Sequence, residues 1–341
     1  MKRRTFMKGA AAAGVSVVAL SPGAALAKTT SLRIATWVPP THHMTANTLP
    51  KWISAISDAS NGELKLNIDP APIAGPPEQY NIVRDGAADI AYHVAAYTPG
   101  PFEIARGVEV PFLSPNAEVG SMAAYDWYDR NIGFDAEFKD VKVLTVFVHG
   151  PGVLHSKMPI NTLEDFANVK VRVGGGGVKM AEALGAAPVA MPASQAYEAL
   201  QKGVADAILG PWESIKGFRL YEHVNHHLEI PGGLYTTFFA VIMNRAKYDT
   251  LPDEQKQVLA DLGGIEGARI LGKGWDDADV AGKASAADGA VISTLSDEEM
   301  VRWKEKVAFV EDDWVALANE RGQDGAALLA DLKATVEKYA G

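Results

Sequence analysis

The sequence predicts an α/β protein of two related lobes, each with a mostly parallel sheet flanked by helices. Residues 80–89 (YNIVRDGAAD) and 197–206 (YEALQKGVAD) repeat one pattern 117 positions apart. In both, a tyrosine and an aliphatic residue lie one helical turn apart, a glycine ends the helix and a strand begins near the aspartate. The length of 341 residues also exceeds the roughly 100–200 residues of one domain.

Further elements follow from hydrophobic periodicity and end signals. Strands are expected at residues 32–36, 90–94, 143–148 and 207–209, and a helix at 45–59. A long helix should begin at Leu251-Pro252-Asp253 and continue, with a break near Gly263-Gly264, to Lys283. A capping-box pattern at residues 296–299 opens amphipathic helices that reach Tyr339.

The N-terminus resembles an export signal. Residues 1–27 hold a basic head with paired Arg3 and Arg4, a short apolar run and an Ala-Leu-Ala cleavage site. The paired arginines are typical of twin-arginine signals, and the apolar run is too short to stay as a membrane span. We therefore expect a periplasmic protein comprising residues 28–341.

The net charge and the lack of cysteine exclude several classes of binding partner and cofactor. Residues 1–27 contain four basic residues and no acid, so their removal takes the net charge from −10 to −14. An acidic protein is a poor partner for nucleic acid or an anionic membrane surface. The chain has no cysteine, which excludes disulfides and thiolate metal sites. The expectation is a freely diffusing monomer.

Arg172 is the candidate anion-binding residue. It lies near the end of the predicted strand VKVRV, just before the four glycines 174–177. A guanidinium matches a carboxylate through two hydrogen bonds, and glycines would let backbone amides approach the same anion. An arginine on a solvent-facing side of the sheet, paired with an acid, is equally compatible with the pattern. The glycines match neither a dinucleotide fingerprint nor a phosphate loop.

The sequence motifs do not favour an enzyme or a metal-binding protein. The clusters His42-His43 and His223 to His227 lack an acid at zinc-like spacing, so no metal and no other cofactor is expected. Glu213 is interpreted as a solvated acid at a helix start. A periplasmic enzyme using His93 and Glu213 in acid–base chemistry remains the alternative, but no nucleophile elbow or nucleotide loop is present.

An ordered set of segments resembles the substrate-binding proteins of TRAP (tripartite ATP-independent periplasmic) transporters, a C4-dicarboxylate-binding-like family. The segments that carry the resemblance are residues 97–102 (YTPGPF), 161–165 (NTLED), 169–172 (VKVR), 184–189 (LGAAPV), 191–192 (MP), 197–206 (YEALQKGVAD), 211–213 (PWE) and 243–244 (MN). The resemblance covers nearly the whole chain after residue 31. It implies a periplasmic-binding-protein-like fold, with a long helix spanning both lobes, that closes on an organic acid and delivers it to TRAP membrane permease subunits.

The resemblance also implies a lobe division and a set of site residues. Lobe 1 would comprise residues 28–149 and 236–275, and lobe 2 residues 150–235 and 276–341. Arg172 would form a salt bridge with the ligand carboxylate, as the corresponding arginine of the family does. The family positions that commonly line the cleft correspond to Trp37, Tyr92, His93, Gly210 and Phe238. Trp212 is also expected there, because it follows Gly210-Pro211 at a strand exit. Tyr92 and His93 cannot both face the cleft if their strand is regular.

Two departures from the family pattern indicate the ligand. No second arginine precedes Arg172 by about twenty positions, and Gly210 stands where the sialic-acid branch has an asparagine. A large polyhydroxylated acid is therefore not expected. The aromatic candidates for the cleft walls favour a small carboxylate with an apolar or aromatic tail, such as an aromatic acid or a 2-oxo acid.

Overall fold

The structure is a computed structural model that describes residues 29–341, so the expected signal peptide lies outside the described part of the chain. Its strands are β1 (Thr30–Ala35), β2 (Leu64–Ile68), β3 (Ile90–Val94), β4 (Val141–Val148), β5 (Val153–Ser156), β6 (Lys170–Val173), β7 (Ala187–Ala190), β8 (Ala207–Gly210), β9 (His226–Glu229), β10 (Phe238–Asn244) and β11 (Val291–Thr294). Its α-helices are α1 (Leu49–Ala59), α2 (Gln79–Arg84), α3 (Ala117–Asn131), α4 (Asp135–Phe138), α5 (Leu163–Phe166), α6 (Val178–Ala183), α7 (Ala196–Gln201), α8 (Glu213–Gly217), α9 (Arg245–Asp249), α10 (Asp253–Asp261), α11 (Gly264–Lys283), α12 (Asp297–Val307), α13 (Phe309–Glu320) and α14 (Gly325–Ala340).

The strands form two mixed sheets, one in each lobe. The first has the order β2-β1-β3-β10-β4, in which β10 is antiparallel to both of its neighbours and the other pairings are parallel. The second has the order β11-β9-β5-β8-β6-β7, in which β5 is antiparallel to both neighbours. The predicted two-lobed α/β fold is confirmed, with one antiparallel strand inserted into each sheet.

The sequence repeat corresponds to equivalent elements of the two sheets. Helix α2 leads to β3 in the first sheet, and helix α7 leads to β8 in the second. Gly86 and Gly203 end the two helices with φ of 78° and 69°, values that favour glycine. The carboxyl ends of β3 and β8 therefore hold corresponding positions in the two lobes.

Two of the crossings that the chain makes between the sheets lie side by side; a third runs from β10 to β11 through α9, α10 and α11. At the first two, the chain leaves the first sheet after β4 and returns to it before β10. The N–H of Gly152 donates to the carbonyl of Tyr235 at 2.9 Å, and the Thr236 hydroxyl donates to the carbonyl of His149 at 2.6 Å. These bonds hold the two crossing segments side by side.

Helix α11 contacts both lobes through two carboxylates on neighbouring turns. Asp276 accepts hydrogen bonds from the N–H groups of Ala117 and Glu118, at the start of α3, at 2.7 and 3.0 Å. Asp279 accepts from the N–H of Glu213, at the start of α8, at 2.7 Å. Each carboxylate thus satisfies free N–H groups at a helix N-terminus. The predicted long helix is present, and its break lies between α10 and α11.

The C-terminal helices divide between the two lobes. Trp303 of α12 stacks on Phe166 of the second lobe with a centroid distance of 5.7 Å. Trp314 of α13 instead packs on Trp127 of α3, whose indole N–H donates to the carbonyl of Leu328 at 3.0 Å. The expected division placed residues 276–341 with lobe 2, but the apolar faces of α13 and α14 complete the core of the first lobe.

Among residues 29–341, no helix combines the length and the apolar character needed to cross a membrane.

Candidate functional site: a cavity lined by both lobes

A cavity of about 390 Å³ is lined by residues of both lobes. It brings together four of the seven predicted site residues: Trp37 and Tyr92 of the first lobe, and Arg172 and Gly210 of the second. Trp37 follows β1, and Gly210 ends β8, so these positions lie at carboxyl ends of strands. Such ends are where open α/β sheets bind ligands.

Arg172 is a buried cation without an acidic partner in the described part of the chain. Its side chain is almost fully covered, with 3% of the residue exposed. Nε and Nη2 donate to the carbonyl of Met191 at 3.0 and 2.7 Å, which fixes the guanidinium plane. Nη1 has no hydrogen-bond partner among residues 29–341. A solvent-facing arginine paired with an acid is therefore excluded, and a buried unpaired charge favours an anion in the cavity.

Tyr97 links this arginine to the first lobe. Its hydroxyl oxygen accepts a hydrogen bond from Nη2 of Arg172 at 3.2 Å and one from the N–H of Ala193 at 3.0 Å. Two accepted bonds occupy both lone pairs of the oxygen, so the hydroxyl proton is left for a third partner. A carboxylate at Nη1 of Arg172 would find this second donor beside it.

The glycines before α6 lie beside Arg172, since Gly174, Gly176 and Gly177 line the same cavity; the approach of their backbone amides to an anion stays a prediction. Gly175–Gly177 form a 3-10 turn, and α6 itself has only six residues. A β-carbon at Gly176 would overlap Nη2 of Arg106, a side chain of the opposite lobe. Nε of Arg106 in turn donates to Glu109 at 2.8 Å. The absence of a side chain at Gly176 allows the two lobes to approach closely at this point.

Aromatic rings form much of the cavity wall. Trp37 lies 5.4 Å from Tyr92 and 6.3 Å from Tyr97, measured between ring centroids. Phe239 stacks on Trp275 of α11 at 5.4 Å. All five residues line the cavity. Such walls suit a flat apolar ligand body, because aromatic pairs gain energy beyond the burial of their area.

Two predicted site residues of the first lobe lie in its core instead. His93 is fully buried and packs on Tyr80 and Phe102, because successive side chains of β3 point to opposite faces and Tyr92 faces the cavity. Phe238 is also fully buried and packs on Phe138. Phe239, one residue later, lines the cavity in its place.

Trp212 also lies away from the cavity, in the core of the second lobe. Its indole N–H donates to Glu229 at 2.9 Å, and its ring packs on His155 and His227. The preceding residues Gly210 and Pro211 line the cavity. The chain turns into α8 directly after them, which directs the indole behind the strand end.

Glu213 is buried, contrary to the solvated acid that the sequence suggested. It is 2% exposed and lines the cavity. Nε2 of His42 lies 2.8 Å from Oε1, and Nε2 of His43 lies 3.7 Å from the same atom. Burial raises the pKa of Glu213, but the neighbouring His42, His43 and His149 lower that pKa by more, so that the net pKa is below its usual range. The carboxylate is therefore ionised at neutral pH.

His42, His43 and Glu213 are also of the right kinds to hold a metal ion, since their ligand atoms lie within 4.8 Å of one another. The N–H of Met44 donates to Nδ1 of His42 at 3.3 Å. This bond occupies Nδ1 and leaves Nε2 as the ring nitrogen that faces Glu213. Nε2 and Oε1 are close, but they lack hydrogen-bond geometry. That no metal binds stays a prediction.

Two α/β lobes, connected by adjacent crossings and enclosing a cavity with an unpaired arginine, define a solute-binding protein. The family model described as bacterial extracellular solute-binding protein, family 7, matches residues 34–316. The chain belongs to this family. The family comprises transport proteins, and the enzyme alternative is wrong; His93, one of its two acid–base candidates, does not reach the cavity.

Solved structures that are similar to this chain are also TRAP solute-binding proteins. A TRAP solute-binding protein from a marine metagenome, specific for aromatic acid ligands and in complex with metahydroxyphenylacetate, is 37% identical with a TM-score of 0.86, covering 92% of this chain and 100% of that one. A TRAP protein from Bordetella bronchiseptica with bound (R)-mandelate and (S)-mandelate is 33% identical with a TM-score of 0.86, covering 91% and 99%. One from Rhodoferax ferrireducens with copurified benzoate is 32% identical with a TM-score of 0.86, covering 92% and 99%.

Proposed function

We propose that this protein is the periplasmic receptor of a TRAP transporter, and that it captures a small aromatic monocarboxylate through Arg172 and delivers it to the permease subunits. The observation that carries the proposal is the buried guanidinium, which lines the cavity and has no acid beside it. Nη1 of Arg172 and the hydroxyl of Tyr97 would each donate to the ligand carboxylate. These charge-assisted bonds strengthen where water is excluded.

The aromatic nature of the ligand is supported by the walls and by the similar structures. The rings of Trp37, Tyr92 and Phe239 line the cavity, whose volume of about 390 Å³ suits a single-ring acid. The three similar structures hold mandelate, benzoate and metahydroxyphenylacetate. An aromatic acid therefore fits better than the 2-oxo acid that the sequence left open.

Ligand binding should favour the closed arrangement of the lobes. The carboxylate would bind Arg172 of the second lobe and Tyr97 of the first simultaneously. A ligand that contacts both lobes binds the closed state more tightly than the open one, and so shifts the population towards it. The closed form would be the one that the permease recognises.

Isothermal titration calorimetry of residues 28–341 with benzoate, phenylacetate, pyruvate and succinate tests the proposal. We expect an aromatic acid to bind, and Arg172→Ala to weaken it by about 2–5 kcal/mol, as for truncation of one partner of a buried charge pair. Arg172→Lys should recover only part of the loss, because an ammonium is not a planar fork. Arg269→Ala, on the surface of α11, is the matched control.

Binding that survives Arg172→Ala would contradict the assigned anchor. Failure of every aromatic acid, measured on protein refolded to remove copurified ligand, would contradict the ligand class. We also infer export by the twin-arginine route, cleavage after residue 27 and a monomeric state. The mass and sedimentation of the periplasmic protein would test these inferences.

A further inference from the structure

The cavity contains a second buried charge, the carboxylate of Glu213. Its Oε1 lies 2.8 Å from Nε2 of His42, but the two atoms lack hydrogen-bond geometry, and Oε1 is buried without a hydrogen-bond partner in the described part of the chain. Its Oε2 has no hydrogen bond from any residue between 29 and 341. A buried ionised carboxylate that accepts no hydrogen bond carries a desolvation cost that a hydrogen-bond donor in the cavity would remove.

The other two glutamates that line the cavity have partners for their charge. Glu109 accepts from the N–H of Phe238 at 3.1 Å and from Nε of Arg106 at 2.8 Å. Glu103 accepts from the N–H of Gly100 at 3.0 Å and lies 3.5 Å from Nη1 of Arg106. Glu213 has only histidines beside it, so it is the cavity glutamate best placed to bind a donor of the ligand.

Two donors that line the same cavity also have no partner in the described part of the chain. They are the indole N–H of Trp37 and the hydroxyl of Tyr92, on residues that are 7% and 1% exposed. A ligand group that both donates and accepts would serve Glu213 and one of these donors together. A hydroxyl does both, whereas an ammonium only donates and a second carboxylate only accepts.

We infer that the ligand is a hydroxylated aromatic acid, whose carboxylate binds Arg172 and whose neutral hydroxyl donates to Glu213. The inference rests on the proposed function and specifies its substrate class. An unsubstituted aromatic acid leaves the free oxygen of Glu213 buried without a donor. An aromatic dicarboxylate places a like charge against it, so both should bind more weakly.

The test compares matched acids by calorimetry at pH 7.5. The pairs are benzoate with 3-hydroxybenzoate and 4-hydroxybenzoate, and phenylacetate with 3-hydroxyphenylacetate and mandelate; isophthalate supplies the second charge. We expect at least one hydroxylated acid to bind at least about tenfold more tightly than its parent. The pair in which the hydroxylated acid binds more tightly shows whether a ring hydroxyl or an α-hydroxyl is the donor.

The Glu213→Gln variant distinguishes a change in ligand preference from a folding defect. The hydroxyl preference should fall to about threefold or less, because a neutral amide accepts more weakly than a carboxylate, while isophthalate should gain about tenfold as the repulsion disappears. A general structural defect would weaken all acids alike and cannot produce these opposite changes. Glu266→Gln, at a half-buried first-turn acid of α11 outside the cavity, should change neither ratio.

If Glu213→Gln does not fold, the affinities of the wild-type protein for the matched acids still test the inference. Equal affinities for the hydroxylated acids and their parents would overturn the inference while leaving the proposed function intact. Tighter binding of isophthalate than of benzoate would overturn it as well. Failure of all aromatic acids would overturn the proposed function itself.

Discussion

The hydroxyl oxygen of Tyr97 accepts hydrogen bonds from Nη2 of Arg172 at 3.2 Å and from the N–H of Ala193 at 3.0 Å. Tyr97 follows β3 of the first lobe, whereas both donors belong to the second. One hydroxyl therefore orients the proposed anchor and joins the lobes. Because both lone pairs are occupied, the hydroxyl proton is left to donate, and under the proposed function it would do so to the ligand carboxylate.

Tyr97→Phe should weaken binding of the aromatic acid about tenfold, since it removes one donor to the carboxylate and one acceptor from Arg172. The aromatic wall stays, so a larger loss is not expected. Calorimetry would measure the change, with Tyr248→Phe, a half-buried residue outside the cavity, as control. An unchanged affinity would show that Tyr97 neither positions the arginine nor binds the ligand.

Local sequence rules predicted the part of the site that lies on regular strands. The charge of Arg172 near the end of a valine-rich strand, just before the glycines, marked it. Alternation in β3 required Tyr92 and His93 to face opposite ways. Alternation could not choose between Phe238 and Phe239. Both are aromatic, β10 begins at the first of them after an irregular segment, and its pairing with β4 shifts register between Val241 and Ile242.

The buried acid could not be found from sequence spacing. Glu213 stands in the first turn of α8, where an acid is usually solvated, and its partner His42 lies 171 positions earlier in the other lobe. Only the closure of two lobes brings them together. The assignment of α13 and α14 to the wrong lobe has another cause: amphipathicity shows that a face is buried but not which core receives it.

Gly176→Ala should weaken ligand binding without lowering the stability of the open protein. The new β-carbon would overlap Nη2 of Arg106, which its bonds to glutamates hold in place, and this contact forms only when the lobes meet. Gly174→Ala is the matched control, because its β-carbon would have Cε1 of Tyr97 at 3.9 Å as its nearest neighbour. Calorimetry and thermal melts without ligand distinguish the effects; equal affinities for the two variants would contradict the argument.

His93→Phe should stabilise the protein, and more so in acid. Both ring nitrogens of His93 are buried without a partner in the part of the chain described, and burial lowers its pKa from 6.5 to about 3. Below pH 6.5 this histidine therefore binds a proton in the unfolded chain but not in the folded one. The free energy of unfolding falls as the pH drops from 6.5 towards 3, and at pH 5 the loss is up to about 2 kcal/mol. Phenylalanine removes this loss and should add about 1–3 kcal/mol at pH 7.5. Urea unfolding at pH 7.5 and pH 5 measures both changes, with His226→Phe as the control. If His93→Phe kept the full pH dependence of the wild-type stability, His93 would not be the source of the acid destabilisation.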